Sequence, residues 1–133
     1  FASCCRPIPG DPIVGVIKSG QGLLVHTHDC PTLRRGRSSG EQWLDVAWDK
    51  NINRPFNVNI KLLVANQRGV LAKVAAAIAE AGSDIANISV ENDGSLYATN
   101  QFTLQVSNRQ HLARVMRALR RVPEVVRIAR TGD

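Results

Sequence analysis

Between Arg54 and Thr131 the apolar residues pass twice from strict alternation to helical spacing and back, an order that few folds accommodate. Phe56, Val58, Ile60, Leu62 and Val64 alternate with Asn57, Asn59 and Lys61, which predicts a strand from Phe56 to Ala65 with one buried face. Asn66-Gln67-Arg68-Gly69 breaks the alternation. Val70, Leu71, Val74, Ala75 and Ile78 then recur at helical spacing as far as Gly82, a natural helix stop. Ser83 to Glu91 reads as a second strand with Ile88 and Val90 inward, and Asn92-Asp93-Gly94-Ser95 as a turn. In a third strand Phe102, Leu104 and Val106 alternate with Gln101, Thr103 and Gln105. Ser107 or Asn108 can cap a second helix carrying Leu112, Val115, Met116, Leu119 and Val122 on one face. Pro123 ends it and Val125 to Ala129 forms a last strand. The β-α-β-β-α-β series is the ferredoxin-like order.

The polar, proline-terminated stretch Lys50 to Pro55 marks a boundary, giving modules at 1–50 and 54–133. In the first, residues 12 to 18 and 22 to 27 read as a hairpin turning at Ser19-Gly20-Gln21, which carries His26 back beside the strand that follows Cys4 and Cys5. Cys30 to Arg35 suits a short helical turn, 36–40 a loop, and Glu41 to Asp49 a strand with Trp43, Asp45 and Ala47 on one face and Leu44, Val46 and Trp48 on the other. About fifty residues bury little core, so a metal or a packed neighbour would help the module hold one shape. The expected class is α+β, a small β-rich, zinc-finger-like module followed by a ferredoxin-like one.

No run approaches the roughly 20 apolar residues of a membrane helix, and no secretory leader is expected. A start without Met suggests a part of a longer, soluble protein. Three cysteines, two of them adjacent, do not make a secreted disulfide framework, so reduced thiols are expected. The net charge of +6 is unevenly spread: Arg109, Arg114, Arg117, Arg120, Arg121, Arg127 and Arg130 face only Glu124 near the end of the chain.

Three constellations carry chemistry. Cys4, Cys5, His26 and Cys30 offer three thiolates and an imidazole, a closed tetrahedral set suited to structural zinc, with His28 as a competing ligand. Neighbouring side chains diverge in a strand, so Cys4 and Cys5 reach one ion only through a sharp turn; the alternative is metal-free reduced thiols. A catalytic or redox pair lacks Cys-x-x-Cys spacing and a nucleophile-base set. Second, Asn66, Gln67, Arg68, Gly69, Val70 and Leu71 lead into a helix start whose N–H groups suit a carboxylate, with Asn87 as a further contact, or they form an ordinary glycine-containing cap. Gly69 stands alone, so no phosphate loop is present. Third, Arg114, Arg117 and Arg121 line the outer face of the last helix and, with Arg127 and Arg130, suit an RNA backbone or simply water. Without interleaved aromatics, stacking readout of bases is not expected.

The strings F-A-S-C-C-R-P-I-P-G-D-P-I, V-H-T-H-D-C, V-A-W-D-K, N-Q-R-G-V-L-A and H-L-A-R-V-M-R resemble the C-terminal regulatory end of the long RelA/SpoT homologues, and more closely those of the bifunctional, SpoT type. These enzymes make and degrade guanosine tetra- and pentaphosphate. The resemblance implies a conserved-cysteine domain over residues 1 to about 50, with metal ligands at Cys4, Cys5, His26 and Cys30, and an ACT domain over 54–133. It implies catalytic domains upstream, with Mn in the hydrolase and Mg in the synthetase, and a fragment that is itself catalytically silent. It further implies a cytoplasmic location, a homodimer through the ACT domain, an amino-acid ligand at the Asn66–Leu71 loop, where Asn66 replaces the commoner acidic residue, and contact with ribosomal RNA in RelA-type relatives.

Overall fold

Strand β4 (Phe56–Ala65) runs through the interior of the larger of two antiparallel sheets in this computed structural model, which describes residues 1–18, 22–35, 42–49, 52, 54–92 and 94–132. It lies between β6 (Tyr97–Val106) and β7 (Val125–Thr131), and β5 (Asp84–Glu91) forms the far edge beside β6, giving the order β5-β6-β4-β7. The register pairs Phe56 with Val106 and Ala65 with Tyr97, so the even-numbered residues of both strands face one side. There they meet α2 (Val70–Glu80), which buries Val70, Val74 and Ile78, and α3 (Arg109–Arg120), which buries His111, Leu112, Val115 and Leu119. Each fully buried aliphatic side chain contributes about 1.5–3 kcal/mol, and Val58, Ile60, Leu62, Leu104 and Leu119 are all at most 1% exposed. The fold is α+β, and its larger unit is the ferredoxin-like arrangement read from the periodicity. Gly82 ends α2 as expected: at φ 78° it lets its N–H reach Ala79 O and that of Ser83 reach Ile78 O.

The edge strand departs from expectation. Pairing of Ile88 with Phe102 and Val90 with Asn100 puts both on the helix side, yet they remain 40% and 49% exposed because β5 lies outermost in the sheet.

The smaller sheet has the order β2-β1-β3, from β1 (Ile13–Lys18), β2 (Gly22–Thr27) and β3 (Gln42–Leu44), with α1 (Pro31–Arg35) after β2. The strand predicted to continue to Asp49 stops at Leu44. Val46 crosses over Gly15, where a Cβ would meet it at 2.9 Å, and Trp48 leaves for the other module, its ring stacked on Phe1 at 5.3 Å and edge-on to Phe56 at 5.7 Å. Ile8 goes with it and is fully buried in the larger core. The predicted turn 19–21, loop 36–40, Glu41, Asp93 and half of the boundary stretch (Lys50, Asn51 and Asn53) lie outside the described residues. Among the described residues no helix is long and apolar enough to cross a membrane.

Candidate metal centre and module junction

Cys4 and Cys5 converge because the chain is wound tightly around them. Arg6 N–H donates to Ala2 O at 3.0 Å, and Arg6 itself sits at φ 42°, the one non-glycine at positive φ among the described residues. Ala2 N–H ties this turn to Val25 O on β2, one residue before His26. Cys30 immediately precedes α1, its N–H donating to Thr27 O. Cys4 Sγ then lies 3.4 Å from His26 Nδ1, 3.5 Å from Cys30 Sγ and 4.0 Å from Cys5 Sγ, and Cys5 Sγ lies 3.8 Å from His26 Nδ1. All four donor atoms fall within 4.8 Å of one another. His28 is exposed and stands outside this group.

The edges of a tetrahedron with metal–sulfur bonds of about 2.3 Å and metal–nitrogen bonds of about 2.0 Å measure roughly 3.5–3.8 Å. The observed spacings are close enough that the group could hold a metal ion. Its electrostatics are divided. Burial pushes the Cys5 thiol up to about 12, partly offset by the Thr27 N–H that donates to its sulfur at 3.3 Å. Burial also opposes ionisation of Cys30, but hydrogen bonds from the Cys4 thiol, Thr32 N–H, Cys5 and Leu33 N–H outweigh it and hold Cys30 below the ordinary thiol value.

Beside the cluster the two modules are joined through Asp11, which is 5% exposed. Its carboxylate accepts Arg130 Nη1 at 3.0 Å and Nη2 at 2.8 Å, and Ile8 N–H at 3.0 Å. Its carbonyl accepts Trp48 Nε1 at 2.9 Å. Arg109 N–H donates to Pro9 O at 2.6 Å, and a side chain on Gly10 (φ 99°) would strike Arg109 Cβ. A cleft of about 680 Å³ opens here, lined from one side by Cys5, His28 and Cys30 and from the other by Arg109 and Arg130.

The other candidate residues are only partly brought together. Asn66 is exposed, but its Nδ2 donates to Asn92 Oδ1 and Ser95 O, both at 2.9 Å, so its amide braces the approach to β6. Gln67, Arg68, Gly69 and Leu71 are exposed at the start of α2, Val70 is buried, and Gly69 caps the helix at φ 84° without a side-chain bond. Asn87 does not join them. It pairs with Thr103, six residues along β6 from the Tyr97 that faces Ala65, or about 20 Å at strand rise. The strand after a crossover helix restarts at the beginning of the sheet, far from the loop that leaves its end. The arginines separate as well: Arg114, Arg117 and Arg121 are exposed on or just after α3, Arg127 pairs with Leu63 on the opposite, helix-free face, and Arg130 is spent on Asp11. Asp11 escaped the sequence reading, although its place in a Pro-Gly-Asp-Pro turn at 9–12 was visible.

A cysteine–histidine cluster seated against a ferredoxin-like domain defines a two-module protein. The RelA/SpoT RIS domain model matches residues 1–49 and the ACT domain model residues 52–130. The chain belongs to the ACT-domain family, in the RIS-plus-ACT form found at the C-terminal end of RelA/SpoT homologues. It is 38% identical over its whole length to the bifunctional (p)ppGpp synthase/hydrolase SpoT of Escherichia coli K12, and 31% identical over 95% of its length to the GTP pyrophosphokinase of the same organism. The chain spans 19% and 17% of those proteins, respectively. The crystal structure of the ACT domain from the GTP pyrophosphokinase of Chlorobium tepidum superposes with a TM-score of 0.51 at 22% identity, covering 57% of this chain and 97% of that one, a likeness of fold.

Proposed function

We propose that this chain is the regulatory region of a bifunctional (p)ppGpp synthetase/hydrolase, receiving a starvation signal and shifting the balance between catalytic domains elsewhere in the parent. The observation that carries this reading is the end-to-end similarity to SpoT over only 19% of that protein's length. Regulation of this kind is a population shift, and it requires that the signal bind two states of the parent unequally. Truncating the parent before Phe1 should leave both activities measurable but change the synthesis-to-hydrolysis ratio several-fold; an unchanged ratio under starvation and repletion alike would contradict the reading.

Within it, Cys4, Cys5, His26 and Cys30 hold a structural zinc ion, the metal best matched to thiolates and one imidazole. Zinc supplies a fixed crosslink here, and the residues' own work is to bind and orient. An amino acid docks by its carboxylate at the start of α2, among Gln67 to Leu71. A homodimer forms through the ACT domain: β5 is an edge strand whose Ile85, Ile88 and Val90 are 37–49% exposed, the kind of edge that a second copy would cover. The location is cytoplasmic.

A second reading, docking to ribosomal RNA, is favoured by the exposed row Arg114, Arg117 and Arg121. It requires co-sedimentation with ribosomes that falls steeply with salt and with charge reversal at Arg117 and Arg121.

A further inference from the structure

The turn that carries the vicinal ligand pair is held at its start by its own module, through Arg6 N–H to Ala2 O and Ala2 N–H to Val25 O, and at its exit by the other domain. The turn that brings Cys4 and Cys5 together ends on Arg6, which occupies the left-handed region, a conformation that a side chain adopts when its surroundings impose it. What fixes the next peptide comes from the other domain. Arg130 Nη2 donates to Arg6 O at 2.9 Å, and the same guanidinium grips both oxygens of Asp11. Asp11 in turn closes the Ile8–Asp11 loop, accepting Ile8 N–H on its carboxylate and donating its own N–H to Ile8 O at 3.0 Å. Both ends of the arm from Arg6 to Asp11 are thus pinned on one side chain of β7. Arg130 is 25% exposed and the Asp11 side chain 4%, so water competes weakly for these bonds.

We propose that Arg130 of the ACT domain, acting through Asp11 and the Arg6 carbonyl, is a positioning residue of the metal centre in the RIS domain. The inference rests on the zinc reading and adds that zinc affinity is set partly from the neighbouring domain. Outer-shell groups that orient metal ligands are typically worth about 10- to 100-fold in affinity. Linkage makes the effect reciprocal: zinc strengthens the docking of β7 by the factor by which β7 strengthens zinc binding. A signal that displaced the end of β7 would then loosen the cluster.

The test is zinc affinity of the whole 133-residue chain by competition with a chromophoric chelator. Arg130→Gln and Asp11→Asn should each weaken binding by about 10- to 100-fold, and the double variant by no more than the worse single one. Arg127→Gln, on the same strand but facing the other side of the sheet, should bind as the wild type does. Arg130→Lys keeps a charge for Asp11 but cannot also reach the Arg6 carbonyl, and should fall between. Amide exchange in β7 should slow on adding zinc to the wild type and not to Arg130→Gln. Wild-type affinity in folded Arg130→Gln or in Arg130→Lys overturns the inference alone, whereas a wild type that takes up no zinc overturns the zinc reading and this inference with it.

Discussion

Asp11 and Arg130, 119 positions apart, form a two-pronged ion pair across the junction of the modules, with N–O distances of 3.0 and 2.8 Å. Removing the carboxylate leaves the guanidinium its bond to Arg6 O but no counter-charge at Asp11, and takes the acceptor from Ile8 N–H. Breaking a buried pair on one side is far costlier than losing a surface one, so Asp11→Ala should cost about 3 kcal/mol. Urea unfolding followed by tryptophan fluorescence measures this, since Trp48 itself donates to Asp11 O. Asp11→Asn, which keeps an acceptor for Ile8, should cost less.

The two helices are joined at their ends by His111, which is 6% exposed. Ser107 N–H donates to its Nδ1 at 3.0 Å, which puts the ring proton on Nε2, and Nε2–H donates to Ala81 O at 2.9 Å. His111→Ala leaves both backbone groups unpaired, and about 2 kcal/mol of stability should be lost. Asn108→Ala removes only the cap that accepts His111 N–H at 2.8 Å and should cost about 1 kcal/mol, or roughly 4 °C in melting temperature.

Cys5 and Glu124 should give the metal-free chain an alkaline and an acid limb, while Cys30, held below the ordinary thiol value, works against Cys5 by adding stability as the pH rises towards 9. The folded-state value of Cys5 stands at about 12 against an ordinary 9.0, so its contribution to stability is complete below about 9 and is lost as the pH climbs from there towards 12. Glu124 behaves in the opposite sense: its hydrogen bond from Lys73 holds it below the ordinary carboxylate value, and its contribution is present above that value and lost as the pH falls through the depressed one. Melting curves should show both limbs. Lys73→Met should remove the acid limb assigned to Glu124, and zinc should remove the alkaline one, because a coordinated thiolate carries no proton to lose.

The larger sheet was legible because its signals are local: Phe56 to Val64 show their alternation within ten residues, and Gly82 stops α2 by its own conformational freedom. The donor set was legible by residue type, though not by geometry, since the turn that carries Cys4 and Cys5 is tied to Val25 on β2 and its exit to a guanidinium at position 130. The same non-local pull explains the shortened β3, where Trp48 finds Asp11 and Phe56 and not a strand partner. Asn87 misled because β5 is separated from β4 by β6 and starts at the end of the sheet opposite the loop that leaves β4. Arg127 and Arg130 misled because strand alternation, which sends them to different surfaces, was not applied to a run of arginines read as one patch.

Cys4, Cys5, His26 and Cys30 are proposed to form a closed four-donor zinc site whose role is structural. Native mass spectrometry of the chain purified without chelator tests it most directly. One zinc ion per chain, lost in Cys4→Ser and in Cys30→Ser, is the predicted result. A folded chain without metal and with all three thiols free to react would contradict it.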